Sequence, residues 1–262
     1  MAPLALLSVV SASILSLVRA SEDDVTITYT AKLGEEGACL TDINAARAKV
    51  GFSELTKPTT GETDKKLPEG PAAETAATGD WLSLCKALIP EEILEKALGS
   101  DVETPKFGSG TYAFKTLTSE TPNCADIVDG WNAAYKNFSD LPPPNDNSTT
   151  IYDDRDNVSF VAIYNPSPAA TADCRVVTCA QKTTTAGGEQ RMRSTGDGQS
   201  KLGYALVCMT TPDVLTAGEN AAPFTEEQWG KIVSAFTGSA STVLPSLFGL
   251  TATAVAIGVT LL

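Results

Sequence analysis

The sequence predicts an α+β fold with a central antiparallel sheet, stapled by disulfides, and three observations carry that expectation. Apolar residues recur at helical spacing through much of residues 39–138, the signature of amphipathic helices. From Val158 to Thr210 the period changes. Runs rich in Val, Ile, Tyr, Phe and Thr are separated there by Asn165-Pro166, Gly187-Gly188 and Thr211-Pro212, which reads as strands and turns. All six cysteines lie within residues 39–208, and an even count in an exported chain implies three disulfides.

Export is read from the first residues. Residues 4–17 are apolar or small, and Val18 and Ala20 place small side chains just ahead of Ser21. Residues 1–20 are therefore expected to be a secretory signal peptide. At the other end no charge follows Lys231, and Gly238, Ser239, Ala240 and Ser241 precede an apolar tail over 243–262. Small residues ahead of such a tail signal its replacement by a glycosylphosphatidylinositol (GPI) anchor. Attachment is expected at Gly238 or Ser239, with 239–262 lost as a propeptide. A transmembrane helix is the competing reading, since about 20 apolar residues span a bilayer, but no Lys or Arg lies beyond the tail to flank it. Residues 21–238 remain as a single ectodomain on the extracellular face of the plasma membrane.

The net charge of −13 repels nucleic acid and anionic lipid heads, so no nucleic-acid partner is expected and the membrane is met through the lipid anchor only. Structural zinc competes with disulfides for cysteines. It is disfavoured because the chain has no histidine and no CxxC pair, and no metal or cofactor is expected. Six cysteines allow 15 pairings, which the sequence leaves open.

Taken in order, no element is assigned before Cys39. Residues 39–52 put Leu40, Ile43, Ala46 and Val50 on one helical face, with Asn44 and Arg47 between them and Gly51 as the stop. Residues 57–79 read as a long loop without a core of its own. Trp81, Leu84, Cys85 and Leu88 share the next helical face, with Asp80 as cap; Pro90 ends it and opens another carrying Ile93, Leu94, Ala97 and Leu98. Residues 111–117 alternate as a strand. Cys124, Ile127, Val128, Trp131, Tyr135 and Phe138 then form a helix capped by Asn123. Residues 158–164, 172–179 and 202–210 are expected strands. Cys174 and Cys179 are an odd number of residues apart, so they face opposite sides and take different partners unless a bulge intervenes. The last helix starts at Thr225 with a capping box reaching Gln228, a Phe224–Trp229 staple, and a buried face of Trp229, Ile232, Val233 and Phe236. Cys39, Cys85 and Cys124 lie on or beside buried faces, which favours cystines over reactive thiols.

Sequons at Asn137, Asn147 and Asn157 cluster around three consecutive prolines and the acidic run Asp153-Asp154-Arg155-Asp156. They mark an exposed loop and possible N-glycosylation. The acidic run reads as a solvated face, because its spacing lacks the Gly and distal Glu of an EF-hand loop.

Several segments carry a resemblance: CLTDINAARAKVGF from Cys39, AIYNPSPAATADCRVVTC ending at Cys179, GYALVC ending at Cys208 and PFTEEQW ending at Trp229. With them the chain resembles the surface antigen family of Eimeria, coccidian parasites of poultry, over essentially the whole mature chain and all six cysteines. The resemblance implies a GPI-anchored antigen of the sporozoite or merozoite surface that helps attachment to host cells and engages immunity. It also implies a three-layer α-β-α sandwich related to the CAP superfamily. Asn44-Ala-Ala-Arg47 is similar to the start of a CAP domain. The two His and two Glu that hold a metal in many CAP domains cannot be carried over to a chain without histidine.

Three functional classes follow. An enzyme is disfavoured, because the usual nucleophile–base triads need a histidine; no catalytic residue is expected, and a histidine-free hydrolase is the distant alternative. A CAP-like carrier of a small lipid is the nearer alternative, though no excess of unassigned apolar residues is present to line its cavity. The favoured reading is a non-catalytic surface antigen whose partners are a glycan or protein on the host cell surface and host antibodies. Recognition is expected on the polar loops 141–157 and 183–201, with Arg191 and Arg193 as host-contact residues.

Overall fold

Four strands pair antiparallel in the order β1-β3-β4-β2. They are β1 (Asp24–Leu33), β2 (Thr111–Leu117), β3 (Thr171–Ala186) and β4 (Lys201–Thr211). The computed structural model describes residues 24–70, 76–90, 110–146, 148–186, 201–216, 218 and 220–238. The expected signal peptide, the helix expected after Pro90, Asn147, Arg191, Arg193, Ser239 and the expected propeptide lie outside the described residues. Five helices accompany the sheet among those residues: α1 (Leu40–Lys49), α2 (Gly79–Leu88), α3 (Cys124–Ala133), α4 (Arg155–Ile163) and α5 (Glu226–Thr237).

Strand alternation divides the interior into two cores. On one face Ala172, Cys174, Val176, Leu206, Cys208 and Ala113 meet α1, α3, α4 and α5. Val177, Cys179, Ala205, Val207 and Met209 turn the other way and meet Trp81, Leu84 and Cys85 of α2. Helices thus cover both faces, four against one. The larger core is centred on Phe160, whose ring lies 5.0–6.5 Å from those of Tyr164, Phe138, Trp229, Phe224 and Phe236. Gly203 lets α2 close on β4, because a side chain there would meet Leu88 and Ile89 at 2.9 Å.

Most expected elements stand where the periodicity puts them. Gly51 at φ 73° follows α1, and Thr225 and Gln228 form the capping box of α5. Phe224 stacks on Trp229 at 6.0 Å as the staple requires. Residues 158–164 are a correction, since they belong to helix α4 and not to a strand. Phe160, Val161, Ala162 and Ile163 are all fully buried, and a short apolar run buried on every side has no period by which helix and strand differ. The acidic residues decide it: Asp154 accepts a hydrogen bond from the Asp156 N–H and caps the helix. Asn123 takes the N-cap position of α3, but its amide donates to the Asp126 carboxylate instead of capping the backbone. Strand β1 has no counterpart in the sequence reading.

Residues 57–70 hold one short 3-10 turn, Thr63–Lys65, and are pinned to the sheet by charge. The Leu67 N–H donates to the buried Asp173 carboxylate, which also accepts from Arg175 Nε at 2.9 Å. Glu36 bridges Arg175 Nη2 at 2.6 Å and Lys66 Nζ at 3.0 Å. Leu67 itself is buried in the smaller core.

Candidate functional site

The six cysteines form three cystines. Cys39–Cys124 ties α1 to α3, Cys85–Cys179 ties α2 to β3, and Cys174–Cys208 joins directly opposed positions of β3 and β4. Cys174 and Cys179 face opposite cores and take different partners, as their spacing requires.

The region around the sequons is more structured than an exposed loop. Asn157 is a second correction: it lies in the first turn of α4 at 3 % exposure. Its Nδ2 donates to the Ile151 carbonyl at 2.8 Å, and its Oδ1 accepts from Asn137 Nδ2 at 2.7 Å. That burial contradicts the exposed loop position expected for this sequon. Asn137 itself is exposed at the end of a 3-10 turn. Tyr152 donates to the Pro143 carbonyl within this segment, and Asn145 Nδ2 donates to the Leu215 carbonyl, which ties the segment to the body. The acidic run is engaged too, with Asp156 3.7 Å from Lys115 and Arg155 over the Phe114 ring at 4.8 Å. Strand β3 continues to Ala186, so residues 183–186 of the second expected loop are strand.

Sequence reasoning passed over the polar side chains of α1. Asn44 donates to and accepts from the backbone of Leu55. Arg47 is 1 % exposed; its Nε donates to the Ser53 carbonyl at 2.8 Å and its Nη1 to the Ile163 carbonyl at 2.7 Å. The guanidinium lies 5.7 Å from the Phe52 ring centre. Burial pulls it down to about 10, which leaves it cationic at neutral pH. Its charge is met by the carbonyl end of α4, where the helix dipole is negative. The pair Asn44 and Arg47 in the quoted motif was the available signal.

Beside this node runs an open groove between the C-terminal ends of α1 and α3 and the side of α5. One part, of about 410 Å³, is lined by Lys49, Asp129, Asn132, Tyr135, Lys136 and Tyr164 along with Ala235 and Phe236. It continues along Lys49 and Val50 past Ser234 and Lys231. Tyr135 stacks on Phe236 at 4.8 Å, and Tyr164 donates to Asn132 Oδ1 at 2.8 Å. Among the described residues, no group of three or more metal-binding side chains is assembled and no helix is long and apolar enough to cross a membrane.

Fold and cystines define a disulfide-stapled α+β domain. The sporozoite surface antigen (SAG) protein domain model matches residues 35–251, and the chain belongs to that family of coccidian surface antigens. It is 31 % identical over 180 residues to the sporulated oocyst TA4 antigen of Eimeria tenella. That match covers 63 % of this chain and 66 %, just under two thirds, of the antigen's own length.

Proposed function

We propose that the protein is a GPI-anchored antigen of the parasite surface that attaches to host cells and meets host antibodies, without catalysis. The observation that carries this reading is where helix α5 ends in the sequence. Helix α5 ends at Thr237, and the next four residues are the small ones ahead of the charge-free apolar tail. An anchor at Gly238 or Ser239 would hold the domain against the membrane with almost no stalk. Three cystines and two cores support a rigid platform, on which the loops carry recognition. Arg191 and Arg193 concentrate positive charge on an acidic chain and would offer it to sulfated or sialylated host glycans. The reading extends to a CAP-like sandwich, supported by helices on both faces of the sheet.

Phosphatidylinositol-specific phospholipase C should release the protein from intact parasites. Release by detergent alone, with the tail still present by mass, would favour a spanning helix. Changing Arg191 and Arg193 to Ser should weaken host-cell binding and flatten its salt dependence, with the melting temperature unchanged; unaltered binding would remove those residues from attachment.

A further inference from the structure

We infer that the groove between α1, α3 and α5 holds the glycan of the protein's own anchor, fixing how the domain sits on its membrane; this rests on the anchor reading above. Position is the first argument. Ala235 and Phe236 line the groove and α5 ends at Thr237, so an anchor at Gly238 or Ser239 begins two or three residues from the lining. At about 1.5 Å per helical residue, the anchor begins within a few Å of it, and the short ethanolamine phosphate bridge leaves the first sugars within reach.

Chemistry is the second argument. The lining offers donors in the Lys49 and Lys136 ammoniums and the Asn132 amide, an acceptor in the Asp129 carboxylate, and the aromatic side chain of Tyr135. Hexose hydroxyls are donors and acceptors at once, on rings with apolar faces, and match that mixture. A site selective for anions would be weakened by Asp129, and a purely apolar ligand would leave four polar groups unpaired. Neither lysine is ion-paired among the described residues.

The openness of the groove is the third. An open polar groove binds free sugar weakly. A tethered ligand acts at an effective concentration in the millimolar range, so a millimolar dissociation constant is enough to fill it. The anchor glycan meets this condition.

The test uses the intact anchored protein in detergent. Mild periodate cleaves vicinal diols of the anchor hexoses to aldehydes, which form imines with nearby lysine amines, and cyanoborohydride fixes each imine as a secondary amine. Peptide mapping then counts cross-links from each lysine to the C-terminal glycopeptide. Lys49 and Lys136 should exceed the exposed Lys32 and Lys182 of the sheet by roughly tenfold, given the tether. Ala133→Glu, at an exposed groove position of α3, should lower the Lys49 and Lys136 yield several-fold. Cross-links spread over all exposed lysines in a protein that carries the glycan would overturn the groove assignment and leave the anchor reading standing. A C-terminal peptide without glycan would overturn both.

Discussion

Two buried polar side chains set the local structure. Asn157 donates to the half-buried Ile151 carbonyl and accepts from the Asn137 amide, so Asn157→Ala removes two hydrogen bonds at a buried position and should cost about 1–3 kcal/mol in chemical denaturation. Peptide mapping of the secreted protein should find Asn157 without sugar, and a glycan there in folded material would contradict its burial. Arg47 is the more demanding case, because its charge has no carboxylate beside it and rests on two carbonyls and a helix end. Arg47→Met removes both hydrogen bonds while keeping much of the apolar stem, and should destabilise by about 2–4 kcal/mol. A stability equal to wild type would mean that burying the charge costs as much as its hydrogen bonds return.

Elements were legible where periodicity and a terminus signal coincide. Helix α5 shows both, in the capping box at Thr225 and Gln228 and the face of Trp229 and Ile232. Helix α4 has a strand-like composition, and its only helical signal is Asp154, whose neighbours made it look like part of a solvated acidic run. Strand β1 alternates clearly, with Thr26, Thr28 and Thr30 on one side and Ile27, Tyr29 and Ala31 on the other, so its period-2 signal was present in the sequence and was passed over. The candidate groove was not legible at all, since it is assembled from three helices far apart in the chain. The clamp on residues 57–67 depends equally on distant partners and yields a pH prediction. Glu36 is held below the usual carboxylate range, first by the hydrogen bond from Lys66 and then by the charge of Arg175. A carboxylate depressed by folding contributes stability above its unfolded value and loses it as pH falls through the folded one. The clamp should therefore hold at neutral pH and loosen below the ordinary glutamate value of 4.5. Amide exchange at Leu67 should accelerate in that acid range, and Glu36→Gln should blunt the acid step; an identical acid step in that variant would place the sensitivity elsewhere.

At the scale of the molecule, titration of the denatured, unreduced protein should find no free thiol, since all six cysteines are paired. Replacing Cys39 and Cys124 together by Ala should cost about 2–5 kcal/mol, because that cystine closes a long loop of the unfolded chain. The three cystines also have an order along the chain. Their spans, 39–124, 85–179 and 174–208, overlap one after another. No peptide bond between Cys39 and Cys208 lies outside every span, so a single hydrolytic nick anywhere in that interval leaves one covalent molecule. A protease-nicked protein should therefore migrate as one band without reductant and as two with it. On a cell surface bathed in proteases, this linkage would let the antigen be clipped without being shed: both pieces would stay joined to the C-terminal segment, and shedding a piece would take a second cut or a reductant.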